Sequence, residues 1–128
     1  MSLKHFLIAT LLGLTCATAS AANWRYVVTD DQKSTYYYDR STLQNRNGIK
    51  NFWVRIDVEN GYTLRDNDIK YTQKKQRQEI DCRTQTLRIG MEHFTLNGTS
   101  VGTRNGWTRW EDVIPDTVGS AIYQAVCR

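Results

Sequence analysis

Proline is almost absent from this 128-residue chain, which has one, Pro115, against eight glycines. With 11% aromatic residues and a net charge of only +4, such a chain is neither a disordered tract nor a proline-rich linker, and it reads as globular. Long hydrophobic runs are also scarce. The run from Phe6 to Leu14 is far shorter than the ~20 residues a helix needs to span a bilayer, so no transmembrane segment is expected. Catalytic motifs are missing as well. There is no serine elbow and no glycine-rich phosphate loop, and beyond residue 21 there is one histidine, His93. A lone histidine beside Glu92 on a predicted strand reads as a surface or structural residue, so the chain is not read as an enzyme and no cofactor is expected. No pair of C-x-x-C motifs offers a metal four ligands. Asp66-Asn67-Asp68 could present oxygens to calcium, but the glycine and later glutamate of an EF-hand loop are absent, so no metal is assigned. Asp30-Asp31, Asp66/Asp68 and Glu111-Asp112 sit in polar turn contexts and read as solvated pairs.

The N-terminus carries the first positive signal. Lys4 and His5 precede the apolar run, and Ala19-Ser20-Ala21 supplies an A-x-A cleavage site, so residues 1–21 read as a secretory signal peptide. Cys16 follows Thr15 and Leu14, where a lipoprotein signal requires glycine or alanine, so soluble export with Ala22 as the new N-terminus is expected. Residues 22–128 then form one domain, with no internal repeat or low-complexity linker.

Export decides how the cysteines are read. Cys16 leaves with the leader, and Cys82 and Cys127 remain in an oxidising compartment, where one pairing is open to them. The expected Cys82–Cys127 disulfide would rivet a C-terminal helix to a strand.

Between these anchors the chain reads as strands. Trp24–Thr29 and Ser34–Asp39 are rich in β-formers. In the next run Phe52, Val54, Ile56 and Val58 take one face and Trp53, Arg55, Asp57 and Glu59 the other, with Asn60-Gly61 as the expected turn. Tyr71 to Leu96 divides into two strands near Arg83–Thr86, with Leu87, Ile89 and Met91 on one face. A short strand follows at Thr99–Arg104. Trp107 and Trp110 read as core residues. Asp116-Thr117 offers a helix start, and Val118, Ala121, Ile122, Ala125 and Val126 form one apolar stripe. The fold class expected is α+β: an antiparallel sheet of about six strands with one C-terminal helix packed on it.

The Tyr36-Tyr37-Tyr38-Asp39 strand, Glu79-Ile80-Asp81-Cys82, Trp110 followed by Val113-Ile114-Pro115, and the last helix ending in Cys127 together resemble the surface-adhesin protein E family. The resemblance spans the whole chain after the leader. It implies an antiparallel sheet with a disulfide-tethered C-terminal helix, a homodimer, and binding of host vitronectin, laminin and plasminogen. It also implies a basic binding segment running into the first cysteine, of which Lys75 alone keeps the register. The family's best-known pattern includes lipid attachment, which this leader lacks.

Positive charge is concentrated in one stretch. Lys70, Lys74, Lys75, Arg77, Arg83 and Arg88 face only Glu79 and Asp81 there, and the rest of the exported chain is about neutral. Two readings stand side by side: a patch for a protein or acidic glycan ligand, or an edge strand whose lysines prevent sheet-to-sheet pairing. Nucleic acid would suit the charge, but an exported protein rarely meets it, so none is expected as a partner. Tyr37 and Trp53 fall on the parity opposite their strands' other large side chains and are expected as exposed aromatics marking a contact. The sequence therefore points to an exported, non-catalytic binding protein of the cell envelope, in the periplasm or at the cell surface. The alternative is a periplasmic structural or assembly factor without a host ligand.

Overall fold

The computed structural model describes residues 21–64 and 67–128. Nearly all of the leader, with Cys16, and Asp66 of the calcium reading lie outside the described residues. Strands β1 (Trp24–Thr29) and β2 (Ser34–Asp39) are followed by one 3-10 turn (Arg40–Thr42) and β3 (Gln44–Arg46). Then come β4 (Ile49–Thr63), β5 (Lys70–Asp81), β6 (Thr86–Leu96), β7 (Thr99–Arg104), β8 (Glu111–Asp112) and helix α1 (Val118–Cys127). All strands join one antiparallel sheet in the order β1-β2-β4-β5-β6-β7, with β3 paired to β4 and β8 to β6.

The expectation of about six strands is corrected to eight. The additional strands are β3 and β8, three and two residues long, too short to show a period-2 pattern. Asn45 lies within β3. The reversal is left to Asn47-Gly48, whose φ values of 53° and 82° suit the mirror-image turn of a two-residue hairpin. Asn60-Gly61 does not end its strand. β4 runs through it to Thr63 with a register shift between Asp57 and Tyr62, and the chain reverses later, where the Leu64 N–H donates to the Ile69 carbonyl. A second register shift, between Gln76 and Gln78, sets Gly90 and Met91 opposite Arg77 alone. Parity inverts there, so Met91 leaves the face of Leu87 and Ile89.

One face carries the core. Phe52, Val54 and Ile56 alternate inward along β4, Ile80 joins them from β5, and Ile122 and Val126 of α1 close over them. Thr117 caps the helix, its hydroxyl accepting from the Ser120 N–H at 3.2 Å. Ten residues are too few for a helix to hold itself in water, so α1 depends on docking. The Cys82–Cys127 disulfide, with Cα atoms 5.7 Å apart, and the Tyr123 hydroxyl donating to the Cys82 carbonyl at 3.2 Å hold it to the end of β5.

The disulfide closes a span of 45 residues, for which the chain-entropy argument gives about 4 kcal/mol. Cys127→Ala should lose about that much in urea denaturation, and its helix amides should exchange before those of β4 and β5. An unchanged midpoint would remove the staple from the account.

Candidate functional site

Strand β5 is hydrogen-bonded on both sides, to β4 and to β6. Its lysines therefore cannot be guarding a sheet edge, and that reading of the basic stretch is overturned. Nor do the six cations form one patch, because neighbouring residues of a strand point to opposite faces. Lys74 turns to the helix side and pairs with Glu92 at 3.1 Å. Arg83, just beyond β5, is exposed and contacts Asp81 at 3.5 Å. Arg88 reaches both carboxylate oxygens of Glu79, at 3.2 and 3.3 Å. Lys70 is exposed where β5 begins. Lys75 and Arg77 share the face away from the helix, and neither pairs with a carboxylate among the described residues. Arg77 instead donates to the Asn51 side-chain oxygen.

On this helix-free face the register lines up Tyr26, Tyr37, Arg55, Lys75, His93 and Thr103 in one row across the strands. The aromatic rings and guanidinium groups interleave. Arg55 lies 5.2 Å from the Trp24 ring centre and 4.2 Å from that of Tyr37, and Arg77 lies 5.6 Å from Trp53. Arg88 lies 4.6 Å from Trp107 and 4.8 Å from Trp110. The Nε atoms of all three arginines are buried without a hydrogen-bond acceptor, and the ring faces supply attraction in its place. Tyr37 and Trp53, expected as exposed, are half-buried in these stacks. Trp107 and Trp110, expected in the core, are 43% and 37% exposed. Trp107 rests on Gly90, where an added Cβ would come within 2.8 Å of the ring.

A shallow groove of about 360 Å³ crosses this face. Trp24, Trp53 and Met91 give it apolar walls, and Lys75, His93 and Thr103 supply polar groups. Asp39 lies at one end. Burial alone would raise its carboxyl, but hydrogen bonds from the Ser41 hydroxyl (2.6 Å), the Asn23 N–H (2.8 Å) and the Ser41 N–H (3.0 Å) outweigh that and hold it below the ordinary value of 3.8. The helix side of the sheet has a larger cavity, about 540 Å³, lined by Tyr36, Tyr71 and Lys74 among others. Its polar groups already answer one another. Lys74 is held by Glu92, and Tyr36, pushed up to about 12 by burial and then by the Asp30 carboxylate, stays neutral and donates to Asp30 at 3.3 Å. The groove on the free face is the better candidate for an external ligand.

The basic and aromatic candidates, separate in the sequence, thus meet at Lys75, Arg77, Tyr37 and Trp53. Trp24, Arg55, Met91 and Thr103 were missed. Strand parity could have placed Trp24 and Arg55. Met91 could not be placed without the β5–β6 register shift, nor Thr103 without the strand order.

The profile of the family described as Surface-adhesin protein E matches residues 24–128. The chain belongs to the surface-adhesin protein E family. The fold agrees with solved structures of Haemophilus influenzae protein E. Crystal form II aligns with a TM-score of 0.62 at 17% identity, covering 86% of this chain and 91% of that one. A second structure of that protein gives 0.60 at 17% identity over 86% and 87%. At that identity the likeness shows a shared fold. Among curated proteins, none matches. Membership in a family of surface adhesins places the chain among exported or surface proteins and suggests binding rather than catalysis. No helix among the described residues is long and apolar enough to cross a membrane.

Asp39→Asn removes the charge that these three donors favour. It should lower stability by roughly 1–2 kcal/mol at neutral pH, in the range of lost helix caps. Because the folded carboxyl titrates below 3.8, its contribution is complete above that value and disappears as the pH falls through the lower folded value. Wild type and variant should therefore converge in acid, and a gap that does not narrow as the pH falls below 3.8 would contradict the assignment.

Gly90→Val should displace the Trp107 ring, costing about 1–3 kcal/mol by overpacking. Tryptophan emission should shift to the red as the ring loses its seat, and unaltered emission would argue against this packing.

Proposed function

We propose that the chain is an exported, non-catalytic binding protein of the cell envelope that takes acidic macromolecules on the helix-free face of its sheet. Residues 1–21 act as a cleaved leader and residues 22–128 as one binding domain, released to the periplasm or held at the cell surface. The observation that carries this reading is the pair Lys75 and Arg77. They are the cations of the basic stretch that share a half-buried face with Tyr37 and Trp53 and have no carboxylate partner among the described residues. A charge without an internal partner is available to an external one, and these two cations attract an acidic partner to the face. Family membership adds the adhesin setting, and acidic host glycoproteins and glycans are the partners that suit it. The homodimer implied by the resemblance is testable on the same purified domain by sedimentation.

Capture of acidic macromolecules on immobilised residues 22–128 should weaken as salt rises, since screening shortens to ~8 Å at physiological ionic strength. Lys75→Glu with Arg77→Glu should abolish it, while Lys70→Glu with Arg83→Glu, at exposed positions, should reduce it little. Equal loss in both pairs would mean general charge attraction rather than a site on this face.

A further inference from the structure

We infer that the groove crossing the helix-free face is a subsite for an acidic glycan, seating one carboxylated pyranose residue of the chain with its carboxylate on Lys75. This rests on the proposed binding role and names its ligand class. The groove's shape comes first. Its lining residues come from β1, β2, β4, β5, β6 and β7, so the cleft runs across the strands as a shallow trough and suits a length of polymer better than a compact molecule.

The chemistry of the walls comes second. The indoles of Trp24 and Trp53, with the Met91 thioether, offer apolar surface against which the C–H face of a sugar ring packs. Lys75 supplies one ammonium with no carboxylate partner among the described residues, flanked in register by Arg55 and His93. His93 places Nδ1 3.3 Å from the Thr103 hydroxyl, and its Nε2 edge is left for a ring hydroxyl. Asp39, the acid in the groove, has Oδ1 taken by the Ser41 N–H and hydroxyl of its own turn and by the Asn23 N–H, and complements a hydroxyl rather than a second carboxylate. Apolar plates, hydroxyl-scale polar groups and a single cation match a uronic acid residue.

An acidic peptide fits less well. An extended peptide gains affinity by pairing its backbone with a free strand edge, whereas this groove crosses the face of the sheet, over central strands β2, β4, β5 and β6 whose backbone groups are engaged in ladders on both sides.

The test uses residues 22–128 with their disulfide intact and a hyaluronan hexasaccharide, which carries carboxylates and no sulfate. Titration should quench tryptophan fluorescence and shift the indole N–H signals of Trp24 and Trp53. The carboxyl-reduced hexasaccharide should bind at least about tenfold more weakly, and Lys75→Gln should lose about the same factor, as expected for one charge-assisted contact. Lys75→Arg should recover part of the loss, and Lys70→Gln should bind like wild type. Equal binding of the reduced sugar, or binding unaffected in Lys75→Gln, would overturn the inference. So would no binding of the hexasaccharide by a domain that still captures acidic proteins through Lys75 and Arg77, an outcome that leaves the broader binding role standing. A domain that captures neither would overturn both.

Discussion

A sheet built as one layer has two faces to protect from water, and the described residues offer a single ten-residue helix with which to do so. Which face receives it is fixed by the Cys82–Cys127 bond, because a helix that short is held by its docking rather than by its own hydrogen bonds. The bond sits where β5 ends, so α1 is returned over Phe52, Val54, Ile56 and Ile80. The core then follows from the parity of β4. Among the described residues the opposite face has no second layer, and its composition answers that condition. Guanidinium groups lie on aromatic rings, giving a cover that is partly apolar, partly charged and stable against water.

This arrangement explains why positive charge and aromatic residues crowd together without forming a basic surface. Arg55, Arg77 and Arg88 are structural in the first place: each lies against at least one ring, and two of them also meet a carboxylate, Arg55 with Asp57 and Arg88 with Glu79. Lys74 belongs to the helix side and meets Glu92, which also accepts from Arg104. Once these pairings and the contact of Arg83 with Asp81 are accounted for, the strongly basic stretch reduces to Lys75, Arg77 and the exposed Lys70. Net charge over a segment measures how many cations are present, not how many are free. Strand alternation and neighbouring acids decide the second question.

Much of the fold was legible because period-2 alternation and the helix stripe are local signals. The Phe52–Val58 alternation, the strand boundaries near Arg83–Thr86 and the Thr117-capped helix are all visible in short windows. What was not legible came from pairing between strands. β3 and β8 exist because a neighbouring strand offers them hydrogen bonds, and Asn60-Gly61 is carried inside β4 because a register shift absorbs it. The edge-guard reading of the lysines failed for the same reason. Polar residues on both parities of β5 resemble an edge, yet Gln76 and Gln78 are 4% and 3% exposed in the interior of the sheet. Their polarity gave no clue to the position of the strand.

The candidate site depends on that non-local information most of all. Lys75, His93 and Thr103 are far apart in the chain and adjacent in space only because β5, β6 and β7 are consecutive in the sheet. The extra residue at Gly90–Met91 then decides the groove's character. Without the shift, Met91 would stay with Leu87 and Ile89 on the helix side, and His93 and Glu92 would exchange faces. Glu92 would then stand beside Lys75 and neutralise it, and Lys74 would lose its partner on the other side. One inserted residue thus sets a free ammonium among aromatic rings on one face and an internally paired one on the other. The groove owes its charge to that register.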